Sequence, residues 1–519
     1  MTVKQGSGSF SERHRKFVII IAAFVSAMGI IDATALNVAL PFIQSSLNAP
    51  TADVHWVLEI YLLFLAALMM AGGALGDTLG RRRPLRWGIM AFALSSVGCA
   101  LANSTETLIF YRALQGMASA LMLPASLALI NAGFPPPERA AAIGKWSAIM
   151  ALAIPLGPLV GGLAVDFLSW HYVFFLNVPL CLLCLALLAF LPRPPFEPPE
   201  PQPLDIPGSL TITASLGLLT YALLEAGRNG SFTLFQVMLL LIGIALLFVF
   251  FTLEARLKSP MLPSSLLSDR RFVLVSVQTF MLFAGFQSAM YFLSFLFIQS
   301  YGYSALEAGV ASVPIPIIVS LVSPRAGRYV SQHGPRGILC VSSVLMGISL
   351  LWLSFTTGDY LSSVLPGMVI LGFAVGFFAA PLTAVAMVAA GPGRDGLASG
   401  VNNAVARIGP LLGIAVFGYW IGGDYAKSLS AALELSSFTT VYKDFLMDNK
   451  AMMAAVDLPK TWPETVTQNV FELVRTLFAD SVRTVLRISA LFAFVAAGLA
   501  LLYRRAVSYT HLRAHETSE

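Results

Sequence analysis

Charge is the scarcest ingredient of this chain. Asp, Glu, Lys and Arg make up 11% of its 519 residues, against 57% hydrophobic residues. Soluble domains carry about 25% charged residues, so a water-soluble globular fold is excluded. Histidine and cysteine are also few, at 6 and 4. His14, His55, His171, His333, His511 and His515 all fall in loops, in tails or at the ends of apolar runs. They assemble no His-Glu-x-x-His pair and no buried Ser–His couple, so neither a metal centre nor an intramembrane enzyme is expected. A glycine-rich phosphate loop of the Walker type is missing too, which argues against direct ATP drive. Cys181 and Cys184 form a CxxC, but both lie in an apolar run with no nearby charge to stabilise a thiolate, and they read as small packing residues. No cofactor is expected.

What the chain has instead is long, continuous apolar stretches. A helix crossing a bilayer needs about 20 apolar residues. Runs at 17–41, 54–75, 85–101, 108–132, 140–165, 172–190, 210–224, 234–251, 273–298, 309–322, 338–355, 364–390, 400–421 and 488–502 meet or approach this length. The expected fold is all-α, a polytopic membrane protein of about 14 spans. A transmembrane β-barrel is excluded because the runs do not alternate. The first run is too long for the apolar core of a cleavable signal and serves as the first span.

The net charge of +5 does not point to nucleic acid. With the N-terminus placed in the cytoplasm, Arg13, Arg15, Lys16, Arg86, Arg139, Arg256, Lys258, Arg270, Arg271, Arg325, Arg328, Arg336, Arg394, Arg504 and Arg505 all fall inside, as do the arginines at 81–83. The short external loops hold only Arg228. This is the positive-inside pattern, and it puts both termini in the cytoplasm of a multi-pass inner (plasma) membrane protein.

Two motifs recur. Gly157-Pro158-Leu159-Val160-Gly161 returns as Gly409-Pro410-Leu411-Leu412-Gly413, and the loop glycines and arginine Gly73, Gly80 and Arg83 return as Gly327, Gly334 and Arg336 at nearly the same separation. Two similar halves are implied, as in many secondary transporters. The expected organisation is an N-terminal six-helix bundle over 1–192, then a Pro-rich cytoplasmic linker with two extra spans over 193–271. A C-terminal six-helix bundle follows over 272–506 and includes a long polar external loop at 423–487, expected to hold short amphipathic helices. The tail 507–519 reads as an artefact of sequence read-through and carries no functional weight.

Several motifs resemble one family. Gly73-Ala74-Leu75-Gly76-Asp77-Thr78-Leu79-Gly80-Arg81-Arg82-Arg83 resembles the loop signature between spans two and three of the major facilitator superfamily. Ile31-Asp32-Ala33-Thr34 through Pro41 resembles the first-span signature of its fourteen-span drug:proton antiporter branch, the multidrug efflux permeases. Arg112-Ala113-Leu114-Gln115-Gly116 resembles the span-four motif, and Ala153 through Gly162 the span-five antiporter motif, with Ala153 where the family usually has glycine. Trp170 and Asn177-Val178-Pro179 fit the start of span six, and Gly396 through Asn403 the start of span thirteen. In the second half of the chain Ser331 stands where Asp77 would recur, so a loop latch would be asymmetric.

Ionisable groups inside a span are costly and are functional candidates by default. Asp32 lies roughly 22 Å along its helix at 1.5 Å per residue, in the outer half of the membrane. Glu59 lies early in span two, which enters from outside. The expectation is that both acids share an outward-facing vestibule and alternate between a proton and a cationic substrate; the open alternatives are a structural acid for Asp32 and a merely solvated one for Glu59. A carboxyl in an apolar surround favours its protonated form and a nearby cation opposes this, which is the property a proton carrier needs. The resemblance implies that Arg112 couples protons near the span-one acid, with Gln115 as its neighbour; a structural ion pair is the alternative. Gly73, Gly76, Asp77, Gly80, Arg81, Arg82 and Arg83 form the conformational loop. Pro155, Gly157, Pro158, Gly161 and Gly162 form a hinge or seal between halves, or a plain packing seam. Gln278, Gln287, Asn402, Asn403 and Arg407 are cavity candidates, because amides facing lipid would go unpaired. Aromatics such as Phe283, Tyr291 and Phe295 either line that cavity or pack against helices and lipid.

The function these features imply is a proton-coupled exporter of amphipathic, cationic drugs or toxic compounds, driven by the proton gradient and working by alternating access. Its expected partners are a small-molecule substrate, protons and the lipid bilayer. Nucleic acid is not expected, a monomer is, and an outer-envelope adaptor is left open. Uptake or facilitated diffusion of a natural metabolite is the second reading; a non-transporting sensor and an intramembrane enzyme stand further back.

Overall fold

The computed structural model describes residues 12–80, 82–134, 136–191, 205–229, 231–257, 260, 262, 266, 268–389, 395–436, 438–459 and 461–503. Among these the secondary structure is helical throughout. An apolar stretch in lipid has no water for its N–H and C=O groups, and a helix satisfies them within the segment. The helices are α1 (Glu12–Leu47), α2 (Thr51–Leu79), α3 (Arg82–Ala100), α4 (Thr105–Gly133), α5 (Pro136–Phe167), α6 (His171–Phe175), α7 (Asn177–Phe190), α8 (Ile206–Asn229), α9 (Leu234–Glu254) and α10 (Arg270–Phe295). They continue as α11 (Ala305–Ser312), α12 (Pro314–His333), α13 (Pro335–Leu353), α14 (Leu365–Ala389), α15 (Asp395–Leu435), α16 (Thr440–Asp448) and α17 (Glu464–Ala500). A π turn, Leu296–Ser300, extends α10, and a 3-10 turn, Lys450–Ala455, follows α16.

Eleven helical segments among the described residues are long and apolar enough to cross a membrane. The expected spans at 85–101, 108–132 and 140–165 fall on α3, α4 and α5, which are outside those eleven, although Leu156–Phe167 of α5 forms a shorter apolar helix. The helix ends follow local chemistry. Ser104 Oγ accepts the Thr107 N–H at the start of α4, and Thr233 with Gln236 forms a capping box on α9. α2 ends at Gly80 (φ 78°) and α12 at Gly334 (φ 79°), so the repeated loop glycines take the same left-handed conformation that only glycine adopts freely.

The polar stretch 423–487 is occupied largely by helix. α15 runs on to Leu435 and α17 begins at Glu464, so only α16 and the 3-10 turn stand between them. The described chain divides into two compact units. The first holds Met1–Pro263, Tyr291–Val310 and Ile414–Ser481; the second holds Ser264–Met290, Ala311–Gly413 and Val482–Glu519. A cluster that includes Val18, Ile21, Val25 and Met28 of α1, Ile89 and Phe92 of α3, Met122 and Ile130 of α4, and Cys181 and Cys184 of α7 forms the core of the first unit. Both cysteines are free and buried, as their packing role requires. In the second unit, Phe283 of α10 packs edge-on against Phe378 of α14 at 5.4 Å.

Candidate functional site

Asp32 of α1 and Arg112 of α4 form a fully buried ion pair, Arg112 Nη1 to Asp32 Oδ2 at 2.6 Å, with both side chains 0% exposed. A buried charge persists only when its remaining hydrogen-bonding capacity is met. Gln115, one turn beyond Arg112 on the same helix face, accepts from Arg112 Nη1 at 2.6 Å and donates from Nε2 to Asp32 Oδ1 at 3.2 Å and to Ser96 Oγ at 2.8 Å. Asn177, at the start of α7, donates from Nδ2 to Asp32 Oδ1 at 2.9 Å. Arg112 Nε donates to the Val57 carbonyl of α2 at 2.9 Å, and the guanidinium lies 4.2 Å from the Tyr61 ring centroid. Five helices thus meet on one neutral pair, while Arg112 Nη2 has no hydrogen-bond partner.

The sequence reading found Asp32, Arg112 and Gln115 but missed Asn177, Ser96 and Tyr61. Asn177 had a signal: it is a polar residue at the start of an apolar run, inside a motif already singled out.

Glu59 is not the solvated acid of a vestibule. It is 0% exposed, and neither carboxylate oxygen has a hydrogen-bond partner. Two residues along a helix turn a side chain by about 200°, so Glu59 lies nearly opposite Val57 and Tyr61, the α2 residues that hold Arg112. It shares its face with His55, four residues earlier. His55 lies near the start of α2, the span end where the sequence places it, and is buried there: it is 3% exposed and sits edge-on to Tyr291, Phe292 and Phe295 of α10, with centroids 5.2, 5.6 and 6.2 Å away. The two acids therefore occupy separate settings in the first unit, one paired and one bare. Glu225 is half-buried and lies 4.0 Å from Arg228, which also pairs with Asp53 at 3.7 Å.

In the conformational loop, Gly73 and Gly76 lie within α2 and Gly80 ends it. Arg82 donates from Nη2 to the Leu188 carbonyl in the last turn of α7 at 2.6 Å, a cation at a helix C-terminus. Arg83 is exposed. Arg81 lies outside the described residues, as does the side chain of Asp77.

The span-five motif is a close-packed seam inside the first unit. A Cβ at Gly157 would collide with Thr34, and one at Gly161 would come 2.7 Å from the Ala35 carbonyl, so α5 lies directly on α1. Gly162 faces Ala305 and Leu306 of α11, and the Pro158 carbonyl meets Gly309. Asp166, near the end of α5, accepts the Ala305 N–H at 3.1 Å and the Leu306 N–H at 2.8 Å, a carboxylate on a helix N-terminus. Asp166 was not singled out from the sequence. Pro155 lies in α5, its side chain outside the described residues.

Two of the cavity candidates are packing groups instead. Gln278 is buried, donates to the Ala496 carbonyl at 3.1 Å and accepts from Tyr503 Oη at 3.0 Å. Asn402 is buried between Thr279, which donates to it at 2.9 Å, and Thr383, to which it donates at 3.3 Å. An amide in an apolar helix can satisfy itself on a neighbouring helix as well as in water. Gln287 and Asn403 are exposed and Arg407 is half-buried, so these three retain open surface.

A family model described as the Major Facilitator Superfamily matches residues 19–414. The chain is 29% identical over 500 residues to the tetracenomycin C resistance and export protein of Streptomyces glaucescens, covering 95% of this chain and 93% of that protein. It is 33% identical over 411 residues to the multidrug resistance protein Stp of Mycobacterium tuberculosis, covering 78% and 74%. Among solved structures, an inward-facing, unoccupied bacterial homolog of the human lysosomal transporter Spinster aligns with a TM-score of 0.66 at 15% identity, covering 95% of this chain and 97% of that one. At that identity the likeness carries the fold alone. A helical, multi-pass chain with a fully buried ion pair between its helices, matched by the family model over most of its length, belongs to the Major Facilitator Superfamily and is a transporter rather than an enzyme.

Proposed function

We propose that the protein exports amphipathic, cationic compounds across the inner (plasma) membrane in exchange for protons, by alternating access. The observation that carries this is the buried Asp32–Arg112 pair, clamped by Gln115 and Asn177. When Asp32 takes a proton, the pair loses its Coulomb attraction and Arg112 is left an uncompensated buried cation, a state that favours rearrangement of the helices holding it. Five helices converge there, so one proton is felt by all of them. The names of the relatives, resistance and export proteins, support the outward direction and a drug-like cargo. The arginine-rich loops support cytoplasmic termini. The working unit is a monomer of two six-helix bundles with α8 and α9 as the added pair, and it needs no cofactor.

The test is transport in everted membrane vesicles energised by respiration, with ethidium as the probe and a fluorescent reporter of lumenal acidity. Adding ethidium should release protons from vesicles bearing the wild-type protein. Asp32→Asn, checked for insertion and folding, should abolish the release. Unchanged exchange in that variant would remove Asp32 from the mechanism.

A further inference from the structure

Within the first unit a second buried polar group lies apart from the Asp32–Arg112 network. Glu59 is completely enclosed, with both carboxylate oxygens unpartnered. Tyr291, also 0% exposed and with an unpartnered hydroxyl, lies within electrostatic reach of it. Among the described residues no hydrogen-bonding cation is joined to this carboxyl, in contrast to Asp32. His55 stands one helical turn away on the same face of α2, walled by Tyr291, Phe292 and Phe295. Its ring borders a small chamber at the α1–α2 turn, where Thr51, Arg228, Gly418, Gly422 and Lys450 also contribute lining.

The size of the chamber decides what can use it. Its free volume is about 10 Å³. That is about the room one water needs, and a drug-sized ligand takes about 300 Å³ or more. Cargo cannot enter, whereas a proton on a single water can. The Thr51 hydroxyl, the His55 ring and the Arg228 guanidinium give such a water polar neighbours. The 3-10 turn Lys450–Ala455 forms part of its wall, and Gln44 is tied to that turn through the Met452 carbonyl at 3.4 Å. On the far side the α15 backbone presses on the imidazole: a Cβ at Gly418 would lie 2.9 Å from His55 Nδ1.

We propose that His55 is a proton relay between this chamber and Glu59. In the orientation given under Proposed function the chamber faces outward, so this step deepens that reading and rests on it for its direction. A hydronium in the chamber gives its proton to one ring nitrogen and remains as water. Glu59 accepts no hydrogen bond in the conformation described, so the imidazolium swings its other nitrogen toward the carboxylate, releases the proton to a Glu59 oxygen and returns to a neutral ring. Exchange of tautomers through the chamber water resets it. The charged and titratable groups around the path are Asp53 and Glu59 of α2, Glu225 and Arg228 of α8, Tyr291 of α10 and Lys450 of the 3-10 turn.

The test needs no transported substrate. The full-length protein in lipid nanodiscs is followed by infrared spectroscopy of the protonated-carboxyl stretch after a pH jump. The component missing in Glu59→Gln identifies Glu59. In His55→Phe and His55→Ala its response should slow about 100-fold, the scale of a positioned proton-transfer group. Added 4-methylimidazole should restore the rate in His55→Ala, a rescue that a purely structural ring would not show. Ethidium-driven proton release, run in parallel on the same variants, is scored apart from the Glu59 band, so loss of antiport and loss of the relay are read separately. An unchanged rate in folded His55→Phe, a Glu59 band that does not respond, or no rescue by 4-methylimidazole would each overturn the relay.

Discussion

Asn177 and Asp32 are joined by a 2.9 Å hydrogen bond between α7 and α1, and that bond meets the carboxylate oxygen that Arg112 does not reach. Asp32 is therefore positioned by a neutral amide as much as by its cation. In Asn177→Ala, Oδ1 keeps only the 3.2 Å bond from Gln115. We expect a loss of about 1.5–3 kcal/mol, the worth of a hydrogen bond to a charged group, read as a lower unfolding midpoint in detergent together with reduced proton-coupled efflux.

Arg112 makes three kinds of contact at once: an ion pair, a bond to the Val57 carbonyl and a stack on Tyr61. Arg112→Ala strands a buried carboxylate, which costs about 3–5 kcal/mol. The double variant Arg112→Ala/Asp32→Asn removes both charges and should recover most of that loss. Thermal unfolding of the four-member cycle measures the coupling, and transport should be absent from all three variants.

The glycines that end α2 and α12 make a sharper backbone prediction. Gly80 (φ 78°, ψ 139°) and Gly334 (φ 79°, ψ 169°) occupy a region nearly closed to residues with a Cβ. Gly80→Ala and Gly334→Ala should each destabilise by about 1–3 kcal/mol. Gly76→Ala, inside α2 with no neighbour near its Cβ position, should be close to neutral in the same unfolding assay.

Asp166 holds the first N–H groups of α11, but its side chain is exposed, so the effect is discounted for solvent. Asp166→Asn should cost about 0.3–1 kcal/mol. Hydrogen exchange should report it as faster exchange at Ala305 and Leu306, with no change at the start of α4, where Ser104 provides the cap.

Much of the site was legible because charge in an apolar run is conspicuous. Asp32 and Arg112 stand out from their surroundings, and Gln115 follows one turn later. The repeated glycines were legible for the same reason, since φ near +78° leaves glycine little competition. Neutral polar groups were harder to read. Gln278 and Asn402 look alike in sequence whether an amide faces water or a neighbouring helix, and here both are satisfied on neighbours. The burial of His55 and Glu59 was not legible because distance from a span end says nothing of what packs over it; Tyr291, far away in the chain, packs against His55. The polar stretch 423–487 read as loop because its residues are hydrophilic, yet hydrophilic residues also clothe the ends of long helices such as α15 and α17.

The closure of Asp32 on Arg112 has an electrical consequence. Opposite charges locked side by side move through a membrane field together, and the field does no net work on them. A potential of 100 mV acts with about 2.3 kcal/mol on each elementary charge left unmatched. In the proposed exchange, voltage sensitivity would belong to whatever the pair does not cancel, a coupled proton and the cargo's own charge, so a neutral and a cationic cargo carried by the same protein would respond differently to depolarisation.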